Sequence, residues 1–309
     1  VTPGAGPAAL VLACRRPEAT ARLLRRLVEA GAGRIHVVVD GPRRDAADAA
    51  RVERTREVVR TFGLPAADLW FRDENLGGPR GIPAAIDWFF ESHERGLIVE
   101  DDLLPDATFV RFAAELLERY ENEPRVAAIH GWSSQLQPPP HSYFFSRYAP
   151  GWGWATWASR WKDFDREARL WFDCDRERVL REASGGDAAF VDYWRRIFHH
   201  VYVGGAVNWD YRWTFANFAL GRVTATASRS VVENRGFDAQ ATHTRKRPYW
   251  LLPAAPMAFP LRHPPTLEAD READRVRQRS VFEGSLRWRA AYALDALRRR
   301  FARDVPGRR

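Results

Sequence analysis

Between residues 8 and 130, short apolar runs alternate with longer amphipathic stretches, and that alternation limits the fold more than any other feature of the chain. "AALVLAC" (8–14), "RIHVVVD" (34–40), "LWFR" (69–72), "LIVEDD" (97–102) and "VAAIH" (126–130) have the length and aliphatic content of buried strands. Helical stretches separate them. One runs from Pro17 to Ala30, with Pro in the first turn, where its missing N–H costs nothing. Others run from Asp45 to Phe62, over "GIPAAIDWFFESH" (81–93), and from Asp106, the expected N-cap, to Tyr120. Strands joined by helices must be parallel neighbours with right-handed crossovers. The expected class is α/β, a mostly parallel, Rossmann-like sheet flanked by helices.

Ligands of such sheets bind beyond the C-terminal strand ends. Arg15 and Arg16 follow the first strand, Asp40 the second, Asp73 and Glu74 the third, and Glu100, Asp101 and Asp102 the fourth. Three adjacent carboxylates repel one another unless a cation lies among them. A hard divalent cation, Mn²⁺ or Mg²⁺, held by one or two carboxylates and the phosphates of a substrate, meets that need. The plainer alternative is a solvated acidic turn that also caps the next helix. For an arbitrary Glu-Asp-Asp it would prevail; the buried "LIV" before the triplet and the charges along the same edge favour the metal.

Composition narrows the class further. The chain has 309 residues, 45% hydrophobic and 28% charged, enough for a large core. Two distant cysteines, Cys14 and Cys174, suit a reducing compartment. With no apolar run near the ~18 residues of a membrane span and no leader read at the start, a soluble cytoplasmic protein is expected. The net charge of +8 is concentrated late: residues 280–309 hold eight Arg against Glu283, Asp295 and Asp304. That stretch predicts a helix over 286–303, with Leu286, Ala290, Ala293, Leu294, Leu297 and Phe301 on one face. The face either docks on the body, the favoured expectation, or lies peripherally on the anionic inner face of a membrane. No nucleic-acid partner is expected, and neither GxxxxGK[ST] nor GxGxxG occurs. Thirteen Trp serve either to fill core or to offer faces for sugar rings.

The motifs resemble those of GT-A glycosyltransferases, in particular the N-acetylglucosaminyltransferase I type. "LIVEDDLLPDATFVRFAAELLERY" is similar to that family's metal-binding segment, an apolar strand, Glu-Asp-Asp-Leu and a helix opening near a "PD-F" pattern. "VLACRRPEATARLLRRL", "HVVVDG", "APGWGWATW", "NWDYRW" and "ENRGFDAQATHT" resemble other family segments in the same order, over roughly residues 8–245. The resemblance implies that Asp102 binds the metal and that Glu100 and Asp101 contact ribose and donor sugar. It implies that Asp40 accepts a hydrogen bond from the base, with Arg16 nearby. Thr242 and His243 would touch the diphosphate, and Asp210 would be the general base. Where the family has Ala-Cys-Asp-Arg, this chain has Ala13-Cys14-Arg15-Arg16, which leaves Arg15 as an alternative to Arg16. Asp210 also makes chemical sense unaided, since Trp209, Tyr211 and Trp213 would shield it from water, although a helix cap is the plainer role. Trp152 or Trp154 is expected on the acceptor side.

Three segments follow: a nucleotide-sugar-binding half (1–134), an acceptor and catalytic half of the same domain (135–250) opening at Pro-rich "QLQPPPHS", and a Pro-rich wrap with the basic helix (251–309). The expected activity is metal-dependent, inverting glycosyl transfer from a UDP-sugar, with UDP-GlcNAc favoured by resemblance, to a saccharide or other hydroxyl acceptor. Two alternatives remain. A sugar-phosphate nucleotidyltransferase would show a Gly-rich, Arg-containing loop where this chain has "CRRPEAT". A non-catalytic binder of anionic surfaces would have no reason to line acids along a sheet edge.

Overall fold

The computed structural model describes residues 4–43, 45–149, 151–204, 209–237 and 246–284, with 286, 287, 290 and 294 beyond them. Strands β1 (Ala9–Ala13), β2 (Ile35–Val39), β3 (Leu69–Phe71) and β4 (Arg95–Glu100) alternate with helices α1 (Pro17–Glu29), α2 (Ala46–Thr61) and α3 (Gly77–Phe90). Next come β5 (Leu103–Pro105), α4 (Thr108–Arg119), β6 (Val126–His130), β7 (Tyr143–Ser146) and β8 (Trp154–Trp157). Single turns α5 (Ala158–Trp161) and α6 (Leu170–Asp173) lead to α7 (Arg176–Ser184), α8 (Ala188–Tyr202) and α9 (Trp209–Ala219). Strands β9 (Val223–Ala227) and β10 (Val232–Asn234) follow, and α10 (Arg271–Arg277) runs into a π-helical turn, Gln278–Phe282.

Eight strands form one sheet in the order β3-β2-β1-β4-β8-β6-β9-β7, and β10 pairs with β5 in a two-stranded ribbon. The first four are mutually parallel, as are β6 and β9, whereas β7 and β8 run against their neighbours. The protein is therefore α/β with a large, mostly parallel mixed sheet. Its helices are held at their starts by side chains that the sequence supplies locally: Asp45 caps α2, Asp175 caps α7 and Asp187 caps α8. Asp106 accepts hydrogen bonds from the Thr108 backbone and hydroxyl at the start of α4.

Helix α3 begins at Gly77, four residues before the expected 81. The cap comes from elsewhere: Asp40, at the end of β2, accepts hydrogen bonds from the Leu76 and Gly77 N–H groups at 3.1 and 3.0 Å. The sheet also runs unbroken across residue 134, because β8 lies between β4 and β6. The expected halves therefore share one sheet. Segment 251–268 is an extended wrap: Ala255 N–H donates to Ser230 O, Met257 N–H to the Thr108 hydroxyl, and Leu261 enters the core. The basic helix expected over 286–303 lies largely outside the described residues. Within it, Leu286 is 81% exposed and Leu294 50% exposed. No described helix is long and apolar enough to cross a membrane.

Candidate active site

After β3 the chain returns to the far side of β1 and forms β4, so the β1/β4 boundary is the switch point where a crevice opens beyond the strand ends. Register dictates what meets there. Leu12 pairs with Glu100, and Asp101 N–H donates to Leu12 O at 2.9 Å. Cys14 N–H then reaches Asp101 Oδ2 at 3.2 Å. This alignment leaves Arg16 facing the turn that carries Asp101 and Asp102. Its Nη1 lies 2.7 Å from Asp102 Oδ2 and 3.4 Å from Asp101 Oδ1. Arg16 is thus a counter-charge for the triplet, in the place where the sequence led us to expect the metal. Arg15 turns the other way, to Asp48 at 3.0 Å.

The triplet is short of positive charge even so. Burial, followed by the charges of Asp102, Asp101 and Asp210, raises the Glu100 carboxyl well above the usual range, with Arg16 opposing. Burial and then Asp102 push Asp101 up to about 7, against Arg16 and the Cys14 N–H. Burial and then Asp40 and Asp101 push the Cys14 thiol up to about 12, which removes it as a nucleophile near neutral pH.

A cleft of about 570 Å³ opens over these residues, in the size range of small-ligand sites. Arg16, Asp40, Glu100, Asp101, Asp102, Trp152 and Asp210 all line it. Asp210 lies in the first turn of α9, where the helix dipole suits a carboxylate. Asp40 lines the cleft with its oxygens already engaged by Leu76, Gly77 and, at 3.5 Å, Arg72. The base contact that the resemblance implied would have to share them. Trp154 is corrected to core: it is 1% exposed and stacks on Trp209 with centroids 6.0 Å apart, because β8 runs through the middle of the sheet. Thr242 and His243 lie outside the described residues.

The ribbon of β5 and β10 brings a second chain segment onto the triplet. Arg235 N–H donates to Asp102 O at 2.8 Å, and a Cβ at Gly236 would stand 2.2 Å from Asp102 Oδ2. A side chain there would displace the Asp102 carboxylate. Sequence reasoning did not find Arg72, Asn234 or Gly236 in the cleft. Asn234 and Gly236 sit within the quoted "ENRGFDAQATHT", whereas Arg72 carries no local signal.

Asp102 can serve a hard cation. Its side chain is 21% exposed, and Arg16 occupies Oδ2, while Oδ1 accepts no hydrogen bond from the described residues. Among the described residues no three His, Cys, Asp or Glu side chains converge as a ligand set, so a cation would draw further ligands from a bound diphosphate and water. Compared with protein-family models and with curated proteins, the chain matches none.

Proposed function

We propose that the protein is a GT-A-like, metal-dependent, inverting glycosyltransferase acting on a nucleotide diphosphate sugar, with a UDP-sugar such as UDP-GlcNAc as donor. The observation that carries this reading is the meeting of Asp102 and Asp210 in one cleft at the β1/β4 switch point. They come from elements more than a hundred residues apart, and a solvated acidic turn would give no reason for a second carboxylate to join them.

In this reading Asp210 takes the proton of an acceptor hydroxyl as its oxygen attacks the anomeric carbon. The bond from that carbon to the diphosphate breaks on the opposite face, which inverts the centre. Asp102 would hold Mn²⁺ or Mg²⁺, which supplies charge neutralisation for the leaving diphosphate. Arg16 would add positive charge beside it, and Glu100 and Asp101 would accept hydrogen bonds from ribose and sugar hydroxyls.

Thermal shift with UDP tests the site. UDP with Mn²⁺ is expected to raise the melting temperature far more than either alone, and Asp102→Ala to abolish the excess. Equal shifts in EDTA would remove the metal from the reaction. Asp210→Asn is expected to bind UDP as wild type does while kcat for transfer falls by roughly 10²-fold or more. An unchanged kcat would make Asp210 a structural residue. Pyrophosphate release from a nucleoside triphosphate and a sugar phosphate, without transfer, would favour the nucleotidyltransferase.

A further inference from the structure

Asp210 has a second face. Behind it lies a smaller cavity of about 170 Å³ that shares Gly151, Trp152, Asp210 and Tyr211 with the main cleft. It is below the ~300 Å³ of a typical whole-ligand pocket and so fits only one end of a molecule. Three of its wall residues form an aromatic cluster: Trp152 stacks on Trp250 at 5.6 Å, and Trp132 meets both edge-on at 5.4 and 5.3 Å. Such faces suit the apolar side of a sugar ring.

Two donors in this wall, Arg277 Nε and Trp132 Nε1, have no acceptor among the described residues. Arg277, at the junction of α10 and the π-helical turn, lies over the Trp132 and Tyr148 rings at 5.4 and 5.0 Å. Its Nε is buried with no hydrogen-bond partner, and no described carboxylate forms an ion pair with it. Asp274, three residues before it, is committed to the Ser146 hydroxyl at 2.6 Å and to Arg147 N–H and Nε at 3.1 and 3.2 Å. Gln278 Oε1 is taken by Tyr148 and Trp194. Trp132 Nε1 is likewise buried and unpartnered, and His130, which is 1% exposed, lies beside it with ring centroids 5.9 Å apart. A buried N–H with no acceptor, on a cation with no anion, is costly, and it marks a place that a ligand can complete.

We propose that this cavity is the acceptor subsite and that it takes an acceptor bearing an anionic group, a carboxylate or a phosphate ester, paired with Arg277. The proposal rests on the glycosyl-transfer reading for the word acceptor, but the anion site stands on its own geometry. Burial lowers the Arg277 guanidinium to about 10, against Tyr148 and Asp274, so it remains charged at neutral pH. Burial and then the Arg277 charge hold His130 neutral, the Trp152 backbone opposing, so the ring can donate from one nitrogen and accept at the other.

The test is a tryptophan-fluorescence titration of the full chain with three probes: methyl glucuronide, glucose 6-phosphate and neutral methyl glucoside. At least one anionic probe is expected to bind about tenfold or more tighter than the neutral one, and whichever does so identifies the anion. Arg277→Gln is expected to erase the preference, and Arg277→Lys, which keeps the charge, to retain part of it. The proposal is overturned if neither anion outbinds the neutral sugar in wild type, a result that needs no variant to fold. It is equally overturned if the Gln and Lys variants discriminate alike. UDP binding with Mn²⁺, measured on the same wild-type sample, separates the two readings. UDP binding without anion preference removes the subsite alone, and anion preference without UDP binding keeps the anion site and removes the transferase.

Discussion

Arg16 decides the electrostatics of the cleft. It is 14% exposed at the side chain, bonds two of the three carboxylates, and opposes the rise in proton affinity at Glu100 and Asp101. Replacing it with Met keeps much of the length and removes the charge. Arg16→Met is therefore expected to destabilise the protein by on the order of 1–3 kcal/mol, a fall of several degrees in melting temperature. Mn²⁺ should recover more of that loss in the variant than it adds to wild type, because the variant lacks a competing cation at Asp102. Calorimetry with and without Mn²⁺ measures both effects, and an unchanged melting temperature would mean that the triplet does not need Arg16.

At the scale of elements, side chains from one segment fix another. Asp40 on β2 caps α3, and Asp274 on α10 grips β7 through Ser146, which also sets where Arg277 stands. A third link joins β2 to the end of α3, His36 Nε2 to His93 Nε2 at 2.7 Å. Burial, against Asp68 and together with His93 and Arg34, lowers His36 from 6.5 to about 4. The folded ring stays neutral in that window while the unfolded chain takes up a proton. The unfolded state therefore binds more protons, and stability falls as pH drops from 6.5 towards 4, by up to about 1.4 kcal/mol per pH unit from this site. Denaturant unfolding on either side of pH 6.5 is expected to show the slope, and His36→Phe to reduce it. A slope unchanged by the substitution would assign the effect to other groups.

For the whole molecule, the charge excess lies mostly in one stretch of sequence, residues 280–309. That stretch carries eight Arg, and Leu286 within it is 81% exposed. Deleting residues 285–309 is expected to leave the melting temperature close to that of the full chain. A loss of several degrees would show a docked helix. If the tail contacts anionic membranes, sedimentation with anionic vesicles should disappear on truncation and weaken with salt.

The five strands of the first half and the helices between them were legible because their signals are local: aliphatic runs of strand length, Pro17 at a first turn, and Asp45 at the start of its own helix. Part of the order of charges along one sheet edge was legible for the same reason, since the crevice opens beyond the C-terminal ends of parallel strands: Arg16, Asp40 and the triplet line it, whereas Asp73 and Glu74 do not. Partnership was not. That Arg16 rather than Arg15 meets Asp102 depends on the register of β1 against β4, and that Trp154 is core depends on β8 inserting between β4 and β6. Gly236 against Asp102, Asp40 beneath α3, and Arg277 behind Asp210 join residues far apart in the chain. Nothing within a segment encodes such contacts; only the folded chain brings those charges close enough to pair.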